Sequence, residues 1–95
     1  MPARPERSKL YRQLSLETEV HLRRMRVRDA LEKLDRYLND ATVAGMARVR
    51  IIHGKGTGTL KTAVLECLSA HPLVSRHYPA APGEGGGGVT VAELG

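Results

Sequence analysis

The sequence has no phenylalanine and no tryptophan, and its aromatic side chains are limited to Tyr11, Tyr37 and Tyr78. The core must therefore be built from Leu, Val, Ile, Ala and Met, for which an apolar content of 41% is sufficient. Proteins that bind nucleic-acid bases by stacking need several aromatic rings at the surface. With so few rings, any bound nucleic acid should be recognised by its backbone and shape.

Cysteine is also nearly missing. Because Cys67 is the only one, an intramolecular disulfide and a zinc site built from thiolates are excluded, and nothing requires an oxidising compartment. There is no apolar run of the length that a signal peptide or a transmembrane helix needs. We therefore expect a cytoplasmic, soluble protein with no membrane partner.

Positive charge is what the chain does have, with 15 Lys and Arg against 10 Asp and Glu in 95 residues. Residues 1–19 hold four basic and three acidic side chains, which leaves eleven against seven, or a net +4, in residues 20–95. The excess belongs to the folded part and favours an anionic partner. The length allows one small domain.

Hydrophobic periodicity predicts six elements in the order βαβαββ. Polar residues 1–17 are interpreted as a linker, with an ordered N-terminal turn as the alternative, and the proline- and glycine-rich residues 79–88 as a mobile loop. The predicted strands are 18–23, 47–52, 73–78 and 88–94, the third of them at a sheet edge; the predicted helices are 26–44 and a segment that follows residue 58 and ends near His71.

These elements predict an α/β two-layer sandwich in which two helices cover one face of a four-stranded mixed sheet. Strand–helix–strand units form parallel pairs through right-handed crossovers. The uncovered sheet face should then present five polar side chains, those of Glu19, His21, Arg23, Arg48 and Arg50.

The sequence HGKGTG at residues 53–58 lies between a predicted strand and a predicted helix. Its spacing fits neither a Walker A loop nor a dinucleotide-binding fingerprint. A flexible turn remains one interpretation. The other is an anion site, because helix N-termini attract anions and Lys55 and Lys61 add charge. If the first two strands are neighbours, Arg23, Arg24, Arg26 and Arg28 flank this loop, and a nucleic-acid backbone fits the width of that surface.

The stretch from VHLRR to HPLV (residues 20–74), with the ending PGEGGGGVTVAEL, resembles a small MutS-related (Smr) domain, specifically the C-terminal domain of the bacterial MutS-II family. The similarity covers residues 18–95, and HGKGTG is among its most specific parts. It implies a fold like the C-terminal domain of translation initiation factor three. It also implies nucleic-acid binding, often with endonuclease activity that nicks DNA or cleaves RNA, in proteins with an ATPase core linked to suppression of recombination or to ribosome rescue.

The first family motif, usually L-D-L-[HR]-G, is altered here. Residues 20–24 are VHLRR, so His21 stands at the acidic position and Arg24 at the glycine position. If the family's aspartate holds a metal or orients a histidine, that group is missing from its usual place. Glu19 is the candidate replacement.

We expect His53 to act in acid–base chemistry, His21 to pair with it as a second proton carrier, and Arg23 to balance transition-state charge. The alternatives are a His53 that binds phosphate or caps the turn without catalysis, and a solvated His21. No cofactor is expected in this domain, although cleavage could require Mg²⁺ or Mn²⁺. The residues expected to bind nucleic acid are Arg23, Arg24, Arg26, Arg28, Arg48, Arg50, Gly54, Lys55, Gly56, Thr57, Gly58 and Lys61.

Three functions remain open at this point. The first is a nuclease acting on branched or duplex DNA, or on RNA. The second is a non-catalytic module that docks the rest of a MutS-II chain, with its ATPase core, onto DNA, RNA or the ribosome. The third is a protein–protein adaptor. The altered first motif favours the second over the first.

Overall fold

The computed structural model describes residues 17–95, which contain four strands and two helices. Their order is β1 (Glu19–His21), α1 (Val27–Val43), β2 (Arg48–Ile52), α2 (Thr59–Ala70), β3 (Val74–Pro79) and β4 (Val89–Leu94). The predicted βαβαββ order is confirmed. β1 ends two residues before the predicted boundary, and the predicted linker lies outside the described residues except for Glu17.

The sheet has the strand order β1-β2-β4-β3 and is mixed, as predicted. β1 and β2 are parallel, with His21 opposite Ile52, because α1 crosses over between them. β4 is antiparallel to both of its neighbours, β2 and β3. β3 therefore lies at an edge, as expected, and the C-terminal ends of β1 and β2 lie side by side.

Both helices pack on one face of the sheet. α1 buries a stripe of Ala30, Leu34, Leu38 and Ala41, which recur at the three- and four-residue steps of a helix. Residues of β1, β2, α2 and β4 complete the same apolar cluster, including Val20, Leu22, Val49, Ile51, Val64, Leu68 and Ala92. Within residues 17–95, neither helix has the combination of length and apolarity that crossing a membrane requires.

The opposite face of the sheet is not bare, which corrects the expected two-layer picture in one detail. Val89, Val91 and Ala80 form a second small cluster there. The segment expected to be a mobile loop without regular structure instead forms two short 3₁₀ turns, Pro82–Glu84 and Gly86–Gly88. Its glycines allow this, because Gly85 between the turns has a φ of 119° and a Cβ there would lie 2.4 Å from Cγ2 of Val89.

Candidate nucleic-acid interface

The glycine loop connects the end of β2 to the first turn of α2. Gly54, Gly56 and Gly58 have φ angles of 81°, 35° and 89°, the left-handed conformation that side-chain-bearing residues rarely adopt. Gly58 is the N-cap of α2 and has no side chain that could cap the helix. The first-turn N–H groups of α2 have no intrahelical acceptor, so this end of the helix favours an anion.

Residues 23–28, the arginine segment, lie beside this loop because β1 and β2 are parallel neighbours. The N–H of Leu22 donates to the Ile52 carbonyl at 2.8 Å, which fixes the chain after β1 against the end of β2. Arg23 belongs to the turn that follows β1. It does not lie on the sheet face opposite the helices, the open face, where it was expected. A Cβ added to Gly54 would lie 3.4 Å from Cγ of Arg23, so the arginine side chain packs directly against the glycine loop.

Together these segments form a cleft of about 430 Å³, lined by residues 24–27 and 53–61, which we call the glycine cleft. Four cations contribute to its lining: Arg24, Arg26, Lys55 and Lys61. The lining includes no carboxylate and no Phe, Tyr or Trp side chain. Arg28, the second residue of α1, is exposed but is not among the residues that line the cleft.

His53 lines the cleft but its side chain is buried, with a residue exposure of 4%. Nδ1 lies 2.8 Å from the Gly54 carbonyl oxygen and Nε2 lies 2.9 Å from Oγ1 of Thr90. The backbone N–H groups of His53 and Gly54 both donate to the Gly88 carbonyl, at 3.1 and 2.9 Å. Two amides of the loop are therefore already satisfied within the protein, and an anion would meet those further along the loop.

His21 is on the open face of the sheet. Its Nε2 lies 3.1 Å from Oε2 of Glu19, and its side chain is 58% exposed. Thr90, the partner of His53, is opposite Ile51 on β2, on the face that the helices cover. The expected pairing of the two histidines is therefore corrected: alternation along the strands directs their side chains to opposite faces of the sheet.

Arg48 and Arg50 are also on the open face, away from the glycine cleft, where they line a separate groove of about 500 Å³. Arg50 contacts the Glu19 carboxylate at 3.7 Å and donates a hydrogen bond to the Glu84 carbonyl. Further along this face, the Tyr78 hydroxyl and then the Arg76 guanidinium lower the pKa of Glu93 by hydrogen bonding to its carboxylate. The structure thus divides the predicted binding residues between two surfaces.

Comparison with known proteins identifies the family. The family model for the Smr domain matches residues 20–95. The chain belongs to the Smr domain family. It is 53% identical over 79 residues to the protein named Endonuclease MutS2 of Thermomicrobium roseum, an alignment that covers 83% of this chain and 10% of that protein. The chain thus spans about a tenth of the length of such relatives.

Solved structures agree with the family and the fold. The crystal structure of the Smr domain of Thermus thermophilus MutS2 matches with a TM-score of 0.81 and 43% identity, covering 83% of this chain and 99% of that one. The structure of YdaL, a stand-alone small MutS-related protein from Escherichia coli, matches with a TM-score of 0.77 and 25% identity, covering 81% and 63%. The α/β two-layer architecture is therefore that of an Smr domain.

The altered first motif of this Smr domain has a structural consequence. Arg24, at the position where the family pattern has glycine, has a φ of 65°, the only positive φ of a non-glycine residue within residues 17–95. A side chain in this conformation costs about 1–2 kcal/mol. The turn still requires a left-handed residue, and in this chain that residue also brings a guanidinium to the glycine cleft.

Metal binding was expected only as a possible requirement for cleavage. Among residues 17–95, no group of three or more His, Cys, Asp or Glu side chains is arranged to hold a metal ion. The candidate replacement carboxylate, Glu19, is engaged with His21 and Arg50 on the open face. These residues do not fit a protein-built metal site at the glycine cleft.

Sequence reasoning missed Thr90 and Gly88, which hold His53 and Gly54 in place. Thr90 is 2% exposed, and its hydroxyl is the contact for the imidazole. Strand alternation carried a usable signal, because Thr90 shares its face of β4 with the buried Ala92. A hydroxyl at such a position needs a partner.

Proposed function

We propose that this Smr domain binds nucleic acid in the glycine cleft by contacts to the sugar-phosphate backbone. The observation that carries the proposal is the cleft's composition: Arg24, Arg26, Lys55 and Lys61 meet at a helix N-terminus whose N-cap is a glycine, with no carboxylate in the lining. Backbone N–H groups, a helix dipole and full positive charges all favour phosphate.

Little sequence preference is expected. The lining of the cleft contains no Phe, Tyr or Trp side chain on which a base could stack, and the His53 imidazole is buried. Contacts to phosphates fix the position of a protein on nucleic acid but carry no sequence information. Duplex DNA, branched DNA and RNA, including ribosomal RNA, all have the sugar-phosphate backbone that such contacts recognise.

Salt dependence tests the binding proposal. We expect the affinity for a fluorescently labelled DNA duplex, measured by anisotropy, to fall linearly with salt on a double logarithmic plot. Three to four neutralised phosphates would give a slope of about −3 to −4. Lys55→Ala should lower the magnitude of the slope by about 1, since it removes one phosphate contact. A nearly flat plot for the wild type would contradict the proposal.

Endonuclease activity is the second candidate function, favoured by the relatives named Endonuclease MutS2 that match over this region. In this proposal, Arg23 and Lys55 balance the charge of the phosphodiester transition state. His53 supplies acid–base catalysis, for which its Nε2 must exchange the Thr90 hydroxyl for a substrate oxygen or a water. His21, on the opposite face, can act in this way only on a strand that reaches around the edge of the sheet.

Supercoiled plasmid separates the two candidates. Wild type, His53→Ala and Lys55→Ala are incubated with plasmid, with and without Mg²⁺ or Mn²⁺, and relaxation and band shifts are followed on gels. Relaxation by the wild type that His53→Ala leaves unchanged would remove His53 from catalysis. Band shifts without relaxation would favour a docking module, which in a longer MutS-II chain would bring an ATPase core to DNA, RNA or the ribosome.

The same series on structured RNA distinguishes the natural class of substrate. Tighter binding or cleavage of RNA at matched salt would favour a role at the ribosome, and tighter binding of branched DNA a role in recombination. A wild-type protein that neither shifts nor cleaves any nucleic acid would support the adaptor hypothesis instead.

A further inference from the structure

Thr90 and His53 form a buried side-chain pair that links the last strand to the glycine loop. Thr90 is 2% exposed and His53 is 4% exposed, and Oγ1 lies 2.9 Å from Nε2. The two residues are 37 positions apart in sequence. The pair therefore ties β4 to the end of β2, where the glycine cleft begins.

The partners of the imidazole assign its tautomer. The Gly54 carbonyl can only accept a hydrogen bond, so the 2.8 Å contact requires a proton on Nδ1 of His53. In the neutral ring, Nε2 is then the acceptor, and the Thr90 hydroxyl donates to it. Both ring nitrogens are used, and each contacts a different segment of the chain.

The backbone of the same region reinforces this arrangement. The Gly88 carbonyl, one residue before β4, accepts the N–H groups of both His53 and Gly54. Gly54 in turn packs against the Arg23 side chain at a φ of 81°. Without the Thr90 hydroxyl, Nε2 would be a buried nitrogen with no hydrogen-bond partner. If the imidazole turned so that Nε2 reached water, the contact between Nδ1 and the Gly54 carbonyl would break.

We propose that Thr90 is a positioning residue for His53 and, through it, for the glycine loop. Its hydroxyl holds the imidazole in the Nδ1–H tautomer, with Nδ1 on the Gly54 carbonyl, and so keeps the loop amides and Lys55 oriented for phosphate. The effect on binding rests on the proposed function. The assignment of the ring does not, because it concerns the free protein.

The free protein provides the first test. Two-bond ¹H–¹⁵N spectra of the His53 ring at neutral pH should show a protonated Nδ1 and a hydrogen-bonded, unprotonated Nε2 in the wild type. Thr90→Ser keeps the hydroxyl and should preserve that pattern, whereas Thr90→Val keeps the shape and should shift the Nε2 resonance toward that of a free nitrogen. A wild-type ring with its proton on Nε2 would overturn the proposal without any variant.

Binding to the labelled DNA duplex provides the second test. Thr90→Val should weaken affinity about tenfold, the equivalent of one buried hydrogen bond, and Thr90→Ser should restore it to within about twofold of the wild type. Thr42→Val, on the exposed side of α1, is the matched control and should leave affinity unchanged.

The ring spectra and the binding measurements together distinguish a failure of the proposed function from a failure of the positioning role of Thr90. A wild type that does not bind DNA overturns the proposed function, while the ring spectra still decide whether Thr90 positions His53. A wild type that binds, with Thr90→Val equally tight and an unshifted Nε2, overturns the positioning role. If Thr90→Val does not fold, Thr90→Ser carries the test, and its loss of the wild-type ring pattern would contradict the proposal.

Discussion

The glycine cleft and the open sheet face both carry arginines, but only those of the open face have carboxylate partners nearby. On the open face, Arg50 contacts Glu19 and Arg76 is bonded to Glu93 at 2.9 Å. The lining of the cleft has four cations and no carboxylate. The open face therefore neutralises much of its own charge, while the cleft leaves its charge for an external anion.

This difference shows why the number of arginines is a poor guide to a binding surface. Arg48 and Arg50 look as suitable as Arg24 and Arg26 when only the sequence is considered. What separates them is which carboxylates the fold places nearby, and those come from distant segments, such as Glu93 of β4 opposite Arg48 of β2. We expect the cleft to bind nucleic acid and the open face to contribute little.

The largest effect is expected at Gly85, in the loop that leads to Gly88, whose carbonyl accepts the N–H groups of His53 and Gly54. Gly85→Ala should destabilise the domain by about 2–4 kcal/mol, because it combines a left-handed φ with overpacking against Val89. Urea unfolding measures this. Gly86→Ala, with a φ of 53° and open space around it, is the control and should cost only about 1 kcal/mol. Equal costs for both would contradict the packing argument.

Charge reversal compares the two surfaces directly. Lys55→Glu in the cleft should weaken binding of the DNA duplex about 10- to 100-fold, since it replaces a charge-assisted contact with a repulsion. Arg48→Glu on the open face changes the net charge equally but should weaken binding less than about fivefold. Anisotropy at one fixed salt concentration measures both. Equal losses would mean that only net charge matters and that the cleft has no special role.

Arg24 should give effects of opposite sign on stability and on binding. Arg24→Gly relieves the left-handed strain and should stabilise the domain by about 0.5–1 kcal/mol after the entropic cost of glycine. Binding should nevertheless weaken several-fold, because the cleft loses a cation. Arg24→Ala should weaken binding similarly without the gain in stability. A destabilised Arg24→Gly variant would show that the φ of 65° is not a source of strain.

The smallest effect on DNA binding is expected at Tyr37, which is buried on α1 and contributes instead to the pH dependence of stability. Burial, and then the charges of Glu17 and Glu19, raise the pKa of Tyr37 to about 12 from an ordinary value near 10. A group whose pKa is raised by folding contributes stability that is complete below pH 10 and is lost as the pH rises toward 12. Urea unfolding between these pH values should show a steeper loss for the wild type than for Tyr37→Phe. Parallel losses would contradict the assignment.

Much of this architecture could be predicted from the sequence because it depends on local pattern. The apolar stripe of α1 and the alternation in β2 are local, and the parallel crossover then brings the arginine segment to the glycine loop. The same alternation gives the face of His53, which follows the last residue of β2. Its hydrogen-bond partner could not be predicted in this way, because Thr90 is 37 residues later.

The C-terminal loop was mispredicted for a related reason. Its glycines and prolines indicate only that helix and strand are disfavoured. Whether such a segment forms turns depends on the surface it meets, and here Gly85 packs against Val89 and the Arg50 guanidinium donates to the Glu84 carbonyl. The contact between Arg50 and Glu84 joins residues 34 positions apart, and no periodicity of the sequence predicts it.

The most direct test of the account maps the bound surface on the protein itself. Amide ¹H–¹⁵N spectra are recorded while the unlabelled DNA duplex is added at low salt. We expect the largest amide shifts at Arg24, Lys55, Gly56 and Gly58, and almost none at Arg48 and Glu93. Shifts concentrated on the open face, with the glycine cleft unchanged, would contradict it.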